Sequence, residues 1–289
     1  MLQFTSVADL TFFAIAIHTL PIPFKTQISE PLQNGQTIHT SGTIKEDAKR
    51  INFNLHFGSA EFGASDLPMH LSIRFDEGKI VYNTYQAGEW SAEEDRVKNP
   101  FKAGGEFDLR VRALDEKFHV YANGHEVAKF DQRLPLAQVS HISIDGDLSE
   151  LYLFHFGGRK FDIPTCCDAP MSTGRRVDIS AIPKGDCFNI NLFHADKKEH
   201  ALHFSVRFEE DAVVRNATTD GKWGNEEREG KFPFKKNQVC DITIANEEYS
   251  MQLFVDGQRF GTFAHRGNPN DINGLTIEGD VDVMSILFN

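Results

Sequence analysis

The runs HLSIRF at 70–75 and HFSVRF at 203–208 alternate strictly between polar and apolar residues. In an extended chain this period of two sends His, Ser and Arg to one face, and Leu71, Ile73 and Phe75, or Phe204, Val206 and Phe208, to the other. Each run predicts a strand with one face in a core and a polar face turned outward. FDLRVRAL, KFHVYANG, HISIDG, DITIAN, MQLFVDG and LTIEG show similar short alternation, and turn dipeptides such as Asn123-Gly124 and Asp256-Gly257 divide them into tight hairpins. No stretch holds the period of a long amphipathic helix. The pattern predicts an all-β protein of antiparallel sandwiches or jelly rolls.

The pattern occurs twice. His70 and His203 are 133 positions apart, and the same spacing relates Arg74 to Arg207, Asn83 to Asn216, Trp90 to Trp223, Pro100-Phe101 to Pro233-Phe234, and Gly146-Asp147 to Gly279-Asp280. Upstream, Asn54-Leu55 of INFNLHF matches Asn191-Leu192 of FNINLFH at a spacing of 137, so the first copy has a loop four residues longer before HLSIRF. That segment, SAEFGASDLP, has the Gly, Ser, Asp and Pro content of a loop. Such self-similarity predicts two tandem domains, 17–157 and 158–289, after an N-terminal extension over 1–16. The junction GGRKFDIP is brief and lacks a Gly/Ser run, which predicts domains held close rather than loosely tethered.

Length agrees with this division, because 289 residues sit at the upper limit for one core. A formal net charge of −12 leaves no basic surface to neutralise phosphates, which argues against nucleic acid and anionic membranes as partners. No membrane insertion is expected. Cys166, Cys167, Cys187 and Cys240 all lie in the second half, and an adjacent pair does not readily bridge to itself, so reduced thiols are expected rather than a secreted disulfide framework. The apolar start MLQFTSVADLTFFAIA lacks a basic n-region and contains Asp9, which disfavours a cleaved signal peptide.

The polar positions resemble the sugar site of the galectin family, whose pattern runs H-x-N-P-R, then Asn, then W-x-x-E-x-R. The resemblance covers nearly the whole chain after about residue 17, twice over, and looks similar to tandem-repeat galectins of nematodes. It implies two galectin-type, concanavalin-A-like β-sandwich domains that bind β-galactoside glycans of glycoproteins or glycolipids and cross-link them. It also implies no catalysis, no cofactor and no metal. The implied sites are His70, Ser72, Arg74, Asn83, Trp90, Glu93 and Arg96 in the first copy, and His203, Ser205, Arg207, Asn216, Trp223, Glu226 and Arg228 in the second. In the family, His and Arg address the axial O4 and the ring oxygen, Asn takes O6, and Glu is shared between sugar and arginine. Galactose presents that axial hydroxyl beside an apolar C–H patch, so an aromatic plate with fixed polar partners suits it. A planar guanidinium bonds a carboxylate and still directs donors at hydroxyls. Taken singly, such charged strand residues are ordinary solvated surface and a lone Trp is ordinary core. The joint spacing, seen twice, favours a site.

Both copies depart from the family by replacing Asn-Pro with Ser72-Ile73 and Ser205-Val206. The second keeps WGNEER, whereas the first reads WSAEEDR, placing Asp95 where Arg228 stands and moving the arginine to Arg96. In a strand that shift turns the side chain over unless a bulge absorbs it, so the first site is expected to lose its second arginine and the second domain to bind β-galactosides better. Two other readings remain: a diverged sandwich serving protein interaction, and a jelly-roll glycosidase, for which EFDLR offers only Glu106 and Asp108. The sequon Asn216-Ala217-Thr218 falls on a site residue. A functional second site therefore suggests a chain that avoids the secretory pathway, cytoplasmic and exported without a signal peptide. Nothing in the sequence fixes an oligomeric state.

Overall fold

A computed structural model describes residues 19–61, 63–92, 96–194 and 196–289; the expected extension over 1–16 lies outside them. The alternating runs all form strands. The first domain contains β1 (Phe24–Gln27), β2 (Thr37–Ile44), β3 (Arg50–Phe57), β4 (Leu67–Arg74), β5 (Lys79–Gln86), β6 (Glu89–Trp90), β7 (Val97–Lys98), β8 (Glu106–Leu114), β9 (Lys117–Ala122), β10 (His125–Asp131), β11 (Val139–Gly146) and β12 (Leu148–Gly157). The second contains β13 (Thr165–Asp168), β14 (Arg176–His194), β15 (Glu199–Arg207), β16 (Ala212–Asn216), β17 (Thr218–Thr219), β18 (Lys222–Trp223), β19 (Cys240–Asn246), β20 (Ser250–Val255), β21 (Gln258–Ala264) and β22 (Gly274–Phe288). Two single-turn 3-10 helices, at Leu136–Gln138 and Pro269–Asp271, complete the regular structure. Among the described residues no helix is long and apolar enough to cross a membrane.

In the first domain a front sheet, ordered β1-β11-β3-β4-β5-β6 with β7 also on β5, packs on a back sheet ordered β10-β9-β8-β2-β12. Phe53, Leu55, Leu71 and Ile73 from the front meet Phe107, Leu109, Val111 and Val120 from the back in one buried core. These are the apolar positions of the alternating runs. The second domain repeats the two layers with its own core, Phe188, Ile190, Phe204 and Val206 against Ile242, Ile244, Leu253 and Val255.

There, however, β14 and β22 each serve both layers. The first half of β14 pairs with β19 in the back layer, its second half pairs with β15 in the front layer, and β22 runs beside it through a register break between Pro183 and Phe188. In the first domain the same path is cut into β2 and β3, and into β11 and β12. The repeated Gly-Asp pair sits at this corner. Gly146 and Gly279 have φ of +102° and +96°, and a Cβ on either would fall 2.3 Å from the Arg50 carbonyl oxygen or 2.5 Å from that of Cys187. The following carboxylates accept backbone N–H bonds across the corner, Asp147 from Lys49 and Arg50 (2.9 and 3.0 Å) and Asp280 from Asp186 (3.1 Å).

The two back sheets face each other. Alternation along β8 puts Leu109 and Val111 in the core and turns Arg110 and Arg112 the other way, into the second domain. Arg110 donates to both carboxylate oxygens of Asp241 on β19 (2.9 and 2.7 Å) and to Ser180 on β14 (2.9 Å). Arg112, fully buried, donates to Asp282 (2.8 Å) and to the Val283 carbonyl (3.2 Å) on β22. Burial opposes ionisation of Asp241, but the bonds and charge of Arg110 outweigh it and hold the carboxyl below its usual range. Tyr121 joins Ile182, Val239 and Met284 in a third buried cluster, and the Val239 N–H donates to the Gly124 carbonyl (2.8 Å). The connecting segment lies against both domains: a Cβ on Gly158 would meet the Met284 carbonyl oxygen at 2.3 Å, and Lys160 pairs with Asp115 (2.9 Å).

Candidate functional site

Strand register places the polar residues in rows across the outer face of each front sheet. Asn83, His70, Asn54, Ser143 and Lys25 are paired in sequence across β5, β4, β3, β11 and β1. Asn216, His203, Asn191, Thr276 and Cys166 form the matching row in the second domain. Arg74 and Arg207, four residues along from the histidines, point to the same side.

The central histidine of each row is oriented by an asparagine. In the second domain Asn191 donates to Thr276 Oγ1 (3.1 Å) and Glu278 Oε1 (3.4 Å), so its carbonyl oxygen is the partner of His203 Nδ1 at 2.6 Å. That assigns the proton to Nδ1 and makes Nε2 an acceptor, suited to a ligand hydroxyl. His70 meets Asn54 in the same way (2.6 Å), with Asn54 donating to Ser143 (3.0 Å). Burial is the main cause holding the His203 pKa below 6.5, aided by His200 and Arg207, while Glu278 and Glu226 oppose it. The ring is therefore neutral at pH 7. Affinity at this face is expected to stay level from pH 8 to 6.5 and to fall only below that, when protonation turns the Nε2 acceptor into a donor. A titration by calorimetry at several pH values would show it, and a loss of affinity already centred above pH 7 would contradict it.

Beside the histidine lies a ring of four alternating charges. Arg207 donates to Glu226 (3.2 Å), Glu210 (3.3 Å) and Ser205 Oγ (3.2 Å), and Arg228 donates to Glu226 (2.8 Å) and to Glu210. The bond from Arg228 holds the Glu226 carboxyl below its usual range. Each guanidinium is thereby fixed at both ends, with donors left over for a ligand.

In the first domain Arg74 donates to Glu77 (3.1 Å), the counterpart of Glu210, and Arg96 bonds the other oxygen of Glu77. This corrects the expectation that the shifted arginine is lost, because Arg96 reaches the carboxylate that Arg228 reaches in the second copy. Arg96 precedes β7 and belongs to no strand, so the alternation of faces does not constrain it. Glu93 and Asp95 lie outside the described residues.

Trp90 and Trp223 are 44% and 53% exposed, so neither is a core residue. Trp223 lies on the small β17–β18 hairpin, with His203 at 5.1 Å and His200 at 4.7 Å between ring centres. Trp90 stands against His70 at 4.9 Å and Tyr85 at 5.1 Å. Asn216 fixes the hairpin: its Nδ2 donates to the Gly224 carbonyl (3.0 Å) and its Oδ1 accepts from the Ala217 N–H (2.9 Å). The hairpin uses one of the two amide N–H groups and leaves the other for a ligand. Asn83 Oδ1 accepts from the Thr84 N–H in the same manner (2.8 Å).

The two serines need a correction of role. Ser72 and Ser205 are each 1% exposed, because the longer side chains around them cover the short hydroxyl. Ser205 accepts from Arg207 Nε and steadies the arginine rather than meeting a ligand. Sequence reasoning also passed over Asn54, Asn191, Glu77 and Glu210. The alternation in INFNLHF and FNINLFH and the 133-residue spacing could have found them. His200 and Tyr85 have no such signal, since Leu67 and Thr218 stand at the matching positions.

Beyond the shared row the copies diverge. The longer loop of the first domain reaches back over β1, where Glu61 pairs with Lys25 at 2.7 Å. In the second, Phe193 packs on His200 (4.5 Å) and leads into a groove of about 580 Å³ lined by Cys166, Lys198 and Thr276. All four cysteines are free thiols. Glu106 and Asp108 lie on the back sheet, with Asp108 bonded to His39 (2.6 Å), Ser41 (3.1 Å) and Arg110, so they do not flank this face. Among the described residues no group of His, Cys, Asp and Glu could hold a metal ion.

The family model described as galactoside-binding lectin matches residues 23–156 and again 162–288. A 32 kDa beta-galactoside-binding lectin of Haemonchus contortus is 43% identical over 272 residues, covering 92% of this chain and 94% of that protein. A protein of the same description from Caenorhabditis elegans is 41% identical, covering 92% and 96%. Galectin-4 of Homo sapiens is 29% identical over 302 residues, covering 90% and 93%.

Proposed function

Since the chain belongs to the galectins, the family of galactoside-binding lectins, we propose that both front sheets bind β-galactosides and that the protein cross-links glycans through two unequal sites. It is a carbohydrate-binding lectin. The observation that carries the assignment is the meeting, on one face and in both copies, of an exposed tryptophan, a histidine with its acceptor nitrogen fixed, and arginines clamped by glutamate. The ring takes the apolar C–H patch of galactose, His203 Nε2 accepts from the axial O4 hydroxyl, and Arg207 and Arg228 donate to that oxygen and its neighbours. Among the described residues of this face Glu77, Glu210 and Glu226 are bonded to arginines, which supports a protein that acts by binding.

Inequality follows from the surroundings rather than from the arginines. The open groove beside His200 favours the second domain, while the Lys25–Glu61 pair narrows the first. In the first domain the Ser72 hydroxyl has no hydrogen-bond partner among the described residues, which favours, for that domain alone, the second reading of a sandwich drifting toward protein contacts. The glycans are those of glycoproteins or glycolipids. A glycan on Asn216, which bonds the Gly224 carbonyl beside the site, would block the site, so the chain suits a cytoplasmic protein that reaches the exterior without a signal peptide.

Calorimetry of the intact chain with lactose tests the assignment. Binding is expected, at least about tenfold tighter than to cellobiose, whose equatorial O4 leaves the polar partners unpaired. Equal affinity for the two disaccharides, or none for either, would sink it.

A further inference from the structure

We infer that the two sites serve opposed surfaces: they point away from each other across a rigid block, so that one molecule bridges two facing glycan coats and does not hold two glycans of the same coat. This rests on the reading of both front sheets as galactoside sites and adds their relative direction. Each domain has its site on the outer face of the front sheet and its contact with the other domain on the outer face of the back sheet. The layers therefore stack as front, back, back, front. With sheets about 10 Å apart face to face, the two outermost sheets are separated by about 30 Å, and their sugar faces look in opposite directions.

The block is held by more than its short connection. Arg110 grips Asp241 and Ser180, Arg112 grips Asp282 and the Val283 carbonyl, and both are nearly or fully buried between the sheets. Tyr121, Ile182, Val239 and Met284 exclude water beside them, and Gly124 and Val239 join the two domains backbone to backbone. For both sites to reach one surface, this contact must open or a glycan must reach round the whole block. A flexible tether would give the second binding step a high effective concentration, multiplying affinity by about 10²- to 10⁴-fold. The fixed stack denies that gain on a single coat and keeps it for two.

The test uses the intact chain and Trp90→Ala, which silences one site, on vesicles and on one planar layer, both bearing lactosyl lipid. The intact chain is expected to aggregate the vesicles reversibly with free lactose, and Trp90→Ala not to. From the planar layer, washed with lactose to suppress rebinding, the two proteins are expected to dissociate within about twofold of each other. Opening the block with Arg110→Ala plus Arg112→Ala should slow dissociation from the planar layer tenfold or more; if that variant fails to fold, the comparison of the first two proteins stands alone. Dissociation of the intact chain tenfold slower than Trp90→Ala would overturn the inference, as would failure to aggregate vesicles or aggregation by Trp90→Ala, which would place the bridging in self-association. Absence of lactose-reversible binding to either support would instead overturn the galactoside reading itself.

Discussion

Trp223→Ala is expected to lower the affinity of the second domain for lactose by about a hundredfold, near 3 kcal/mol, the size typical of a binding surface losing its central aromatic residue. The ring is half exposed, and its neighbours His200 and His203 are held by other contacts, so the fold has little to lose. Calorimetry on the intact variant should leave only the weaker class of site, with thermal stability changed by less than about 1 kcal/mol. The corresponding Trp90→Ala should remove the weaker class and spare the stronger. Unchanged lactose affinity in Trp223→Ala would mean that the exposed plate does not meet the sugar. A large drop in stability would mean that the hairpin depends on the ring.

Arg112→Ala is expected to uncouple the domains. Its guanidinium is fully buried, and its removal leaves Asp282 and the Val283 carbonyl without their donor inside the contact. Breaking a buried pair costs about 3 to 5 kcal/mol; with Asp282 partly open to solvent, about 2 to 3 kcal/mol is the better expectation. Calorimetric melting should then change from one coupled transition to two, while lactose affinity stays the same, because the front sheets are a core's thickness away. An unaltered single transition would show that the contact between the back sheets contributes nothing to stability.

Much of the fold is legible in the sequence because alternation depends on local geometry. HLSIRF and HFSVRF fix their own faces wherever the strands end up, and the 133-residue spacing shows that two copies share one plan. The histidine, arginine and tryptophan positions are legible for the same reason. Reasoning failed where the chain leaves regular structure. Placing Arg96 on the opposite face presumes that Arg96 lies within a strand, whereas it stands just before β7. Nor does the pattern of FDLRVRAL reveal the partners of Arg110 and Arg112, since polar positions look the same whether water or a second domain's carboxylates lie opposite. Glu61 beside Lys25 depends on a loop that only the first copy has, and His200 on β15 is matched by Leu67, so the comparison of copies could not reveal either.

The corner that β14 and β22 turn between the two layers of the second domain bears on how that domain comes apart. Their pairing lapses between Pro183 and Phe188, where the Asp186 N–H bond to Asp280 spans the gap, so few bonds tie the two layers at the corner. The first domain turns the same corner at 45–49 and Asp147, where the Lys45 N–H donates to the Asp147 carbonyl (3.0 Å) and the Asp147 N–H to that of Arg50 (2.8 Å). Breathing motions that admit water or proteases would begin at these corners in both halves of the protein.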